Sequence, residues 1–309
     1  MRKPVVVWLI LSLIWGSTWL FIKVGLEDLE PFTFAAFRFM VAVLALLPVV
    51  IVRRVQLPRD AADWWLMIVT GFLTFTVTYG LVFWAEQHIS SGLAALLFGT
   101  FPLFGLLIAH LHLPSERMTL TKVLGVVLGI GGIGLVFSNE LAVTGTVALW
   151  GCIAIVAAAA CSAYADVLIK LRGGHLDSSL LTLVQMIAGL IPLILIGTAL
   201  EGDPRNFTWT PLAVFSIFYL GVIGSALAFV LFYWLIKHME VTKTMLLTLV
   251  TPLVAVSLGV VLLDEPLTWR TTAGGTAILA GLALTVWQGT AELRKRAAFW
   301  LTKKPRAVQ

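Results

Sequence analysis

Apolar residues along this chain gather into ten stretches: Val5–Val24, Phe32–Val52, Trp64–Ala85, Gly92–Leu111, Leu120–Phe137, Thr146–Ile169, Leu180–Ala199, Pro211–Ile236, Thr244–Leu263 and Thr271–Gly289. Each approaches the ~20 residues with which an α-helix crosses the hydrocarbon core of a bilayer. The pattern therefore predicts an all-α integral membrane protein of ten transmembrane helices. Polar residues mark the connections, and their charges sort by side. If the N-terminus is cytoplasmic, the inner side holds Arg2, Lys3, Arg53, Arg54, Arg59, Arg117, Lys122, Lys170, Arg172, Lys237, Lys243 and the basic residues between Arg294 and Arg306. The outer side holds only Arg205 and Arg270. Such asymmetry is the positive-inside pattern of a ten-span protein with both termini cytoplasmic.

The composition agrees. With 60% hydrophobic and 12% charged residues the chain falls outside the range of soluble domains. The net charge of +5 is loop charge facing anionic lipid, not a nucleic-acid surface. A cleaved signal peptide is disfavoured, because the first apolar run is long and lacks a small-residue exit. Cys152 and Cys161 lie nine positions apart on one predicted helix, about 13 Å along its axis, and cannot bridge.

The two halves read alike. Pro102 matches Pro252, Glu116 matches Glu265, Thr119 matches Thr268, Gly125 matches Gly274 and Gly132 matches Gly281. Lys23 matches Lys170 and Arg38 matches Gln185 at a common spacing. Residues 1–139 and 144–290 are thus expected to form two five-helix repeats, with a basic tail at 291–309 that reads as an interfacial anchor or a solvated end. An odd number of spans per repeat inverts the second, the architecture of carriers whose substrate site lies between repeats around a central cavity.

Trp15–Lys23 (WGSTWLFIK), Phe37–Phe39 (FRF) and Asp264–Thr268 (DEPLT) resemble the drug/metabolite transporter superfamily in its EamA-type branch. The resemblance covers about residues 5–290 and extends to bacterial exporters of amino acids, aromatic ones included. It implies a ten-helix basket, with spans one, three, four, six, eight and nine lining its cavity. In the first half Ser115–Thr119 (SERMT) lacks the proline of DEPLT.

Transport chemistry needs polar or aromatic groups inside spans. Lys23 and Arg38 are the cations so placed; each suits either a substrate anion or a structural lock with Glu27, Asp28, Glu30 or Glu86, and Lys23 also suits snorkelling to headgroups. The substrate-binding candidates are Trp15, Trp19, Arg38, Tyr79, Phe98, Tyr164, Gln185 and Tyr233; the alternative for each aromatic is packing or a lipid-facing belt. Pro102 and Pro252 read as paired hinges, and Lys23, Trp84 and Trp234 as gating residues at the two mouths. Gly125 and Gly129, with Ala277 and Gly281, form small-residue faces for close helix packing, within the chain or in a homodimer.

Embedded acids are scarce. Asp166 stands within a span one turn from Lys170, and Asp166, Glu86 and His110 are the possible proton-coupling groups, all three peripheral. That scarcity favours facilitated diffusion or exchange over ion coupling. His110 and His112 point to different helix faces, and no hydrolase, nucleotide or zinc signature occurs. No enzyme activity, cofactor or metal is expected. The expected partners are a small-molecule substrate and the bilayer. The leading expectation is export of small organic metabolites, most of all amino acids; the alternative is carriage of anionic metabolites such as phosphorylated or nucleotide-linked sugars.

Overall fold

Prolines and side-chain caps open the helices. Pro31 and Pro211 occupy first turns, where the missing N–H costs nothing, and Asp60, Ser90, Asp177 and Thr210 accept from the free N–H groups behind them. The computed structural model describes residues 2–112, 119–143, 145–238 and 247–284. Among these residues it is helical without strands.

The helices are α1 (Arg2–Gly25), α2 (Pro31–Val52), α3 (Ala61–Glu86), α4 (Ser91–His112), α5 (Leu120–Val143), α6 (Thr146–Arg172), α7 (Ser178–Leu200), α8 (211–238), α9 (Leu247–Leu263) and α10 (269–284). Eight of them are long and apolar enough to cross a membrane, and α9 adds a shorter apolar helix over Val250–Leu263. The tail at 291–309 and Glu116 lie outside the described residues, as does the side chain of Tyr233.

Three helices depart from regular α geometry. In α3 the stretch Phe72–Thr78 is a π-helix, and in α8 Tyr219–Leu227 is another. Both release main-chain carbonyls from the i→i−4 ladder in mid-membrane, where π segments often mark functional positions. Helix α4 breaks at Gly99–Thr100 and restarts at Phe101, so Pro102 sits in the first turn of its second half. Pro252 instead lies within a continuous α9. The prolines expected to act as matched hinges are therefore differently built, yet their neighbourhoods meet: a Cβ on Gly99 would stand 3.5 Å from the Pro252 ring.

Helix packing repeats in exchanged form. A Cβ on Gly132 of α5 would stand 2.6 Å from the Gly274 carbonyl oxygen of α10, and one on Gly274 would stand 2.7 Å from the Gly132 carbonyl oxygen. Gly281 of α10 lies equally tight against Gly125. The small-residue faces thus serve contact within the chain. A second exchange joins α3 to α7 and α8 to α2. A Cβ on Gly71 would meet Gln185 Cα at 2.6 Å, and one on Gly221 would meet the Arg38 carbonyl at 2.8 Å.

At one end of the bundle, charged side chains sit on the ends of neighbouring helices. Glu201, closing α7, accepts from Phe32 N (2.7 Å), Thr33 N (2.8 Å) and Thr33 Oγ1 (2.6 Å) at the start of α2. Glu265, following α9, accepts from Ser91 N (2.7 Å) and Gly92 N (3.0 Å) at the start of α4. Lys23 donates to the carbonyls of Glu86 (2.6 Å) and Ile89 (2.9 Å), where α3 ends. Acids on N-termini and a base on a C-terminus match the helix dipoles and satisfy groups that have no partner in their own helix. At the opposite end Arg53 donates to Ser179 at 3.0 Å and His175 pairs with Asp63 at 3.0 Å.

Candidate functional site

Arg38 stands two turns into α2 and is 3% exposed. Its Nε donates to Ser225 Oγ of α8 at 3.2 Å, and its guanidinium lies 4.8 Å from the centroid of the Tyr79 ring and 5.3 Å from that of Phe39. Phe75 and Tyr79 stack at 5.9 Å behind it. Rings stabilise a dehydrated guanidinium by roughly 0.5–2 kcal/mol each, which offsets part of the cost of placing a cation inside a span. The Nη1 group has no acceptor among the described residues. A buried, pre-oriented N–H donor of this kind suits a carboxylate or phosphate oxygen.

The aromatics expected around a cavity gather on both sides of α1. Trp15 contacts Phe229 (6.2 Å) and Phe232 (5.2 Å) of α8, while Trp19 contacts Phe98 of α4 at 5.6 Å. Phe98 stacks in turn on Phe101 across the break in α4. Tyr164 is 39% exposed and meets His112 edge-on. Gln185, the match of Arg38, is spoken for, since its Nε2 donates to Thr70 Oγ1 at 2.8 Å.

Trp84 lies edge-on to His88 near the end holding Glu265, and Trp234 packs into a separate cluster with Leu11, Ile14 and Leu235. Two apolar grooves open on the flank: one of about 150 Å³ between α2 and α7, lined by Thr33, Phe37, Met40 and Ile194, and one between α3 and α7 beside Trp64 and Ile187. Neither contains an expected substrate-binding residue.

Two placements differ from expectation. Lys23 does not snorkel to headgroups or pair with a carboxylate, because the dipole and free carbonyls at the end of α3 hold it. Glu86 is not peripheral: it is 0% exposed, and neither carboxylate oxygen accepts a hydrogen bond from a described group. Sequence reasoning also missed Ser17, which bonds Tyr219 at 2.6 Å, and Ser225, since small hydroxyls in apolar runs give no signal. Glu265 carried one through its DEPLT setting. Asp264 adopts φ 51°, a left-handed position that Asp tolerates, and so turns Glu265 back onto the helix ends.

A multi-pass helical bundle with a buried cation, surrounding aromatics and broken helices at mid-span is the build of a membrane carrier. A sequence profile of the EamA-like transporter family matches the chain twice, over residues 2–138 and 149–287, and the chain belongs to that family. It is 26% identical over 276 residues to the uncharacterized transporter YoaV of Bacillus subtilis, across 89% of this chain and 94% of that protein. It is 30% identical over 267 residues to the uncharacterized inner membrane transporter YedA of Escherichia coli K12, across 83% and 82% of the two. A crystal structure at 18% identity superposes with a TM-score of 0.63 over 91% of this chain and 96% of its own, a likeness of fold. The chain is thus a multi-pass membrane protein with a transport role.

Proposed function

We propose that the protein is a secondary carrier exporting small organic metabolites, amino acids first and aromatic ones among them, across the inner membrane by alternating access. Its working parts are two five-helix repeats of opposite orientation, with both termini cytoplasmic, enclosing a central substrate cavity. The exchanged contacts of Gly132 with Gly274 and of Gly125 with Gly281 support that reading. An isologous interface pairs i with j and j with i, as a two-fold axis between repeats would require.

The observation that carries the substrate class is the Arg38 group. Its uncommitted Nη1 would take the carboxylate of an amino acid, and the rings of Tyr79, Trp19 and Phe98 would take its apolar side chain. The same donor favours one competing reading, an anionic metabolite such as a phosphorylated or nucleotide-linked sugar.

Counterflow in proteoliposomes with radiolabelled phenylalanine, leucine and glucose 6-phosphate separates the two. Phenylalanine counterflow that falls about tenfold or more in Arg38→Gln, the equivalent of ~1.4 kcal/mol, is the expected result. Sugar-phosphate flux alone, lost in Arg38→Gln, selects the competing reading. No flux of any probe overturns both.

A further inference from the structure

Glu86 is a buried carboxyl that receives no hydrogen bond from any described group. Carboxylates on helix ends elsewhere in this chain are richly bonded: Glu201 takes three donors and Glu265 two. Leaving Glu86 ionised, dehydrated and without donors is strongly unfavourable, whereas a neutral acid tolerates such a place far better. Its neighbours make the contrast sharper. The Lys23 ammonium stands at the Glu86 residue itself, yet donates to its main-chain carbonyl and leaves the carboxylate alone.

We propose that Glu86 is a proton-binding site of the transport cycle, and that its occupancy decides where the Lys23 ammonium rests. The inference rests on the carrier reading above. With the proton bound, Glu86 is neutral and Lys23 caps the end of α3 through the carbonyls of Glu86 and Ile89. That cap ties α1 to the α3–α4 turn, which Glu265 ties to the end of α9. When the carboxyl gives its proton to water, the carboxylate formed draws the ammonium away from those carbonyls. The tie between α1 and the turn loosens, and this end of the bundle is freed to open. Rebinding a proton returns Lys23 to the helix end and closes it.

The groups that face Glu86 suit a switch. Lys23 comes from α1, Arg38 from α2 and Glu265 from the α9–α10 connection, and their fields all reach it. Tyr79 lies two turns below on α3, beside Arg38, and His88 follows in the same turn. Helix α6 packs on that turn through Gly151, with Cys152 buried beside it. Two cations are therefore at hand to receive the carboxylate once the proton leaves.

The first test needs no substrate. N,N′-dicyclohexylcarbodiimide reacts with protonated carboxyls in apolar surroundings; the acid O–H adds across a C=N bond, and the adduct rearranges to a stable N-acylurea. Wild-type protein in liposomes should carry this label on Glu86 at acidic pH and progressively less as pH rises. A recovered Glu86 peptide without label at every pH, or labelled equally at all of them, overturns the proposal. The second test measures coupling with radiolabelled phenylalanine. A one-unit pH gradient should drive up to about tenfold accumulation in wild-type liposomes for one proton per cycle. Glu86→Gln, fixed in the neutral state that holds this end closed, should lose counterflow together with that accumulation, and Glu86→Asp should restore part of both. Equal accumulation in wild type and Glu86→Gln overturns the proposal. If wild type gives no phenylalanine counterflow, the amino-acid reading falls, and the wild-type labelling result alone decides Glu86.

Discussion

The ammonium of Lys23 rests 2.6 Å from the main-chain carbonyl oxygen of Glu86, joining the end of α3 to α1. A second bond to Ile89 at 2.9 Å makes it a two-point cap on groups that the helix cannot satisfy itself. Charge-assisted hydrogen bonds contribute roughly 1.5–3 kcal/mol, and removing this donor leaves two carbonyls unpaired. Lys23→Met should therefore lower the thermal unfolding midpoint in detergent, with Lys23→Arg recovering part of the loss. A Lys23→Met protein as stable as wild type would mean that the cap contributes nothing.

The α5–α10 seam makes a prediction with internal controls. A methyl on Gly132 would run into the Gly274 carbonyl at 2.6 Å, and neither backbone has room to yield. Overpacking at such a contact costs about 1–3 kcal/mol, so Gly132→Ala and Gly274→Ala should each destabilise. Gly131 and Gly134, on the same helix, meet nothing within 4 Å. Substituting either with Ala should be neutral or stabilising by up to about 1 kcal/mol, through helix propensity alone. Thermal unfolding of the four variants side by side checks the contrast, and equal behaviour would refute the seam.

That seam also shows what the sequence carries and what it hides. The glycines of α5 and α10 were legible as packing faces, because small residues at helical spacing have few other uses in lipid. Their exchanged pairing was not, since it depends on which helix each one meets. Arg38 announced itself as a charge in an apolar run, but its engagement with Ser225 comes from α8, far along the chain. Glu86 misled for the same reason. At the end of a span it reads as interfacial, and only segments distant in sequence, Lys23 of α1 and Gly151 of α6 among them, enclose the turn it closes. The π stretches of α3 and α8 left no readable trace, because their register is set by neighbours and not by residue type.

A pH effect outside the spans follows from His88. Partial burial, and then the nearby Lys23 charge, hold its pKa below the ordinary value. The unfolded chain thus takes up a proton first as pH falls, and stability declines between the ordinary His pKa of about 6.5 and the lowered one. Above that window the group is neutral in both states and contributes no slope. His88→Gln should flatten this part of the dependence of the unfolding midpoint on pH, leaving the value at pH 8 nearly unchanged. An unaltered slope would assign the acid sensitivity to other groups.

Glu265 offers the sharpest structural test, because two unrelated substitutions should fail in the same way. Its carboxylate satisfies Ser91 N and Gly92 N at the head of α4 and packs against Gly259, where no side chain intrudes. Glu265→Ala removes the acceptor, leaving two N–H groups unpaired at a cost of about 1–3 kcal/mol. Gly259→Ala keeps the acceptor but puts a methyl where the carboxylate now lies, so it should expel Glu265 and uncap the same helix. Once Glu265 is gone, that methyl has only the Ser91 hydroxyl, at 3.1 Å, left to accommodate. The double variant should then be little worse than either single one, a coupling of about 0.5–3 kcal/mol between contacting residues. Additive losses in a thermal-unfolding cycle would show that Gly259 acts on something other than this cap.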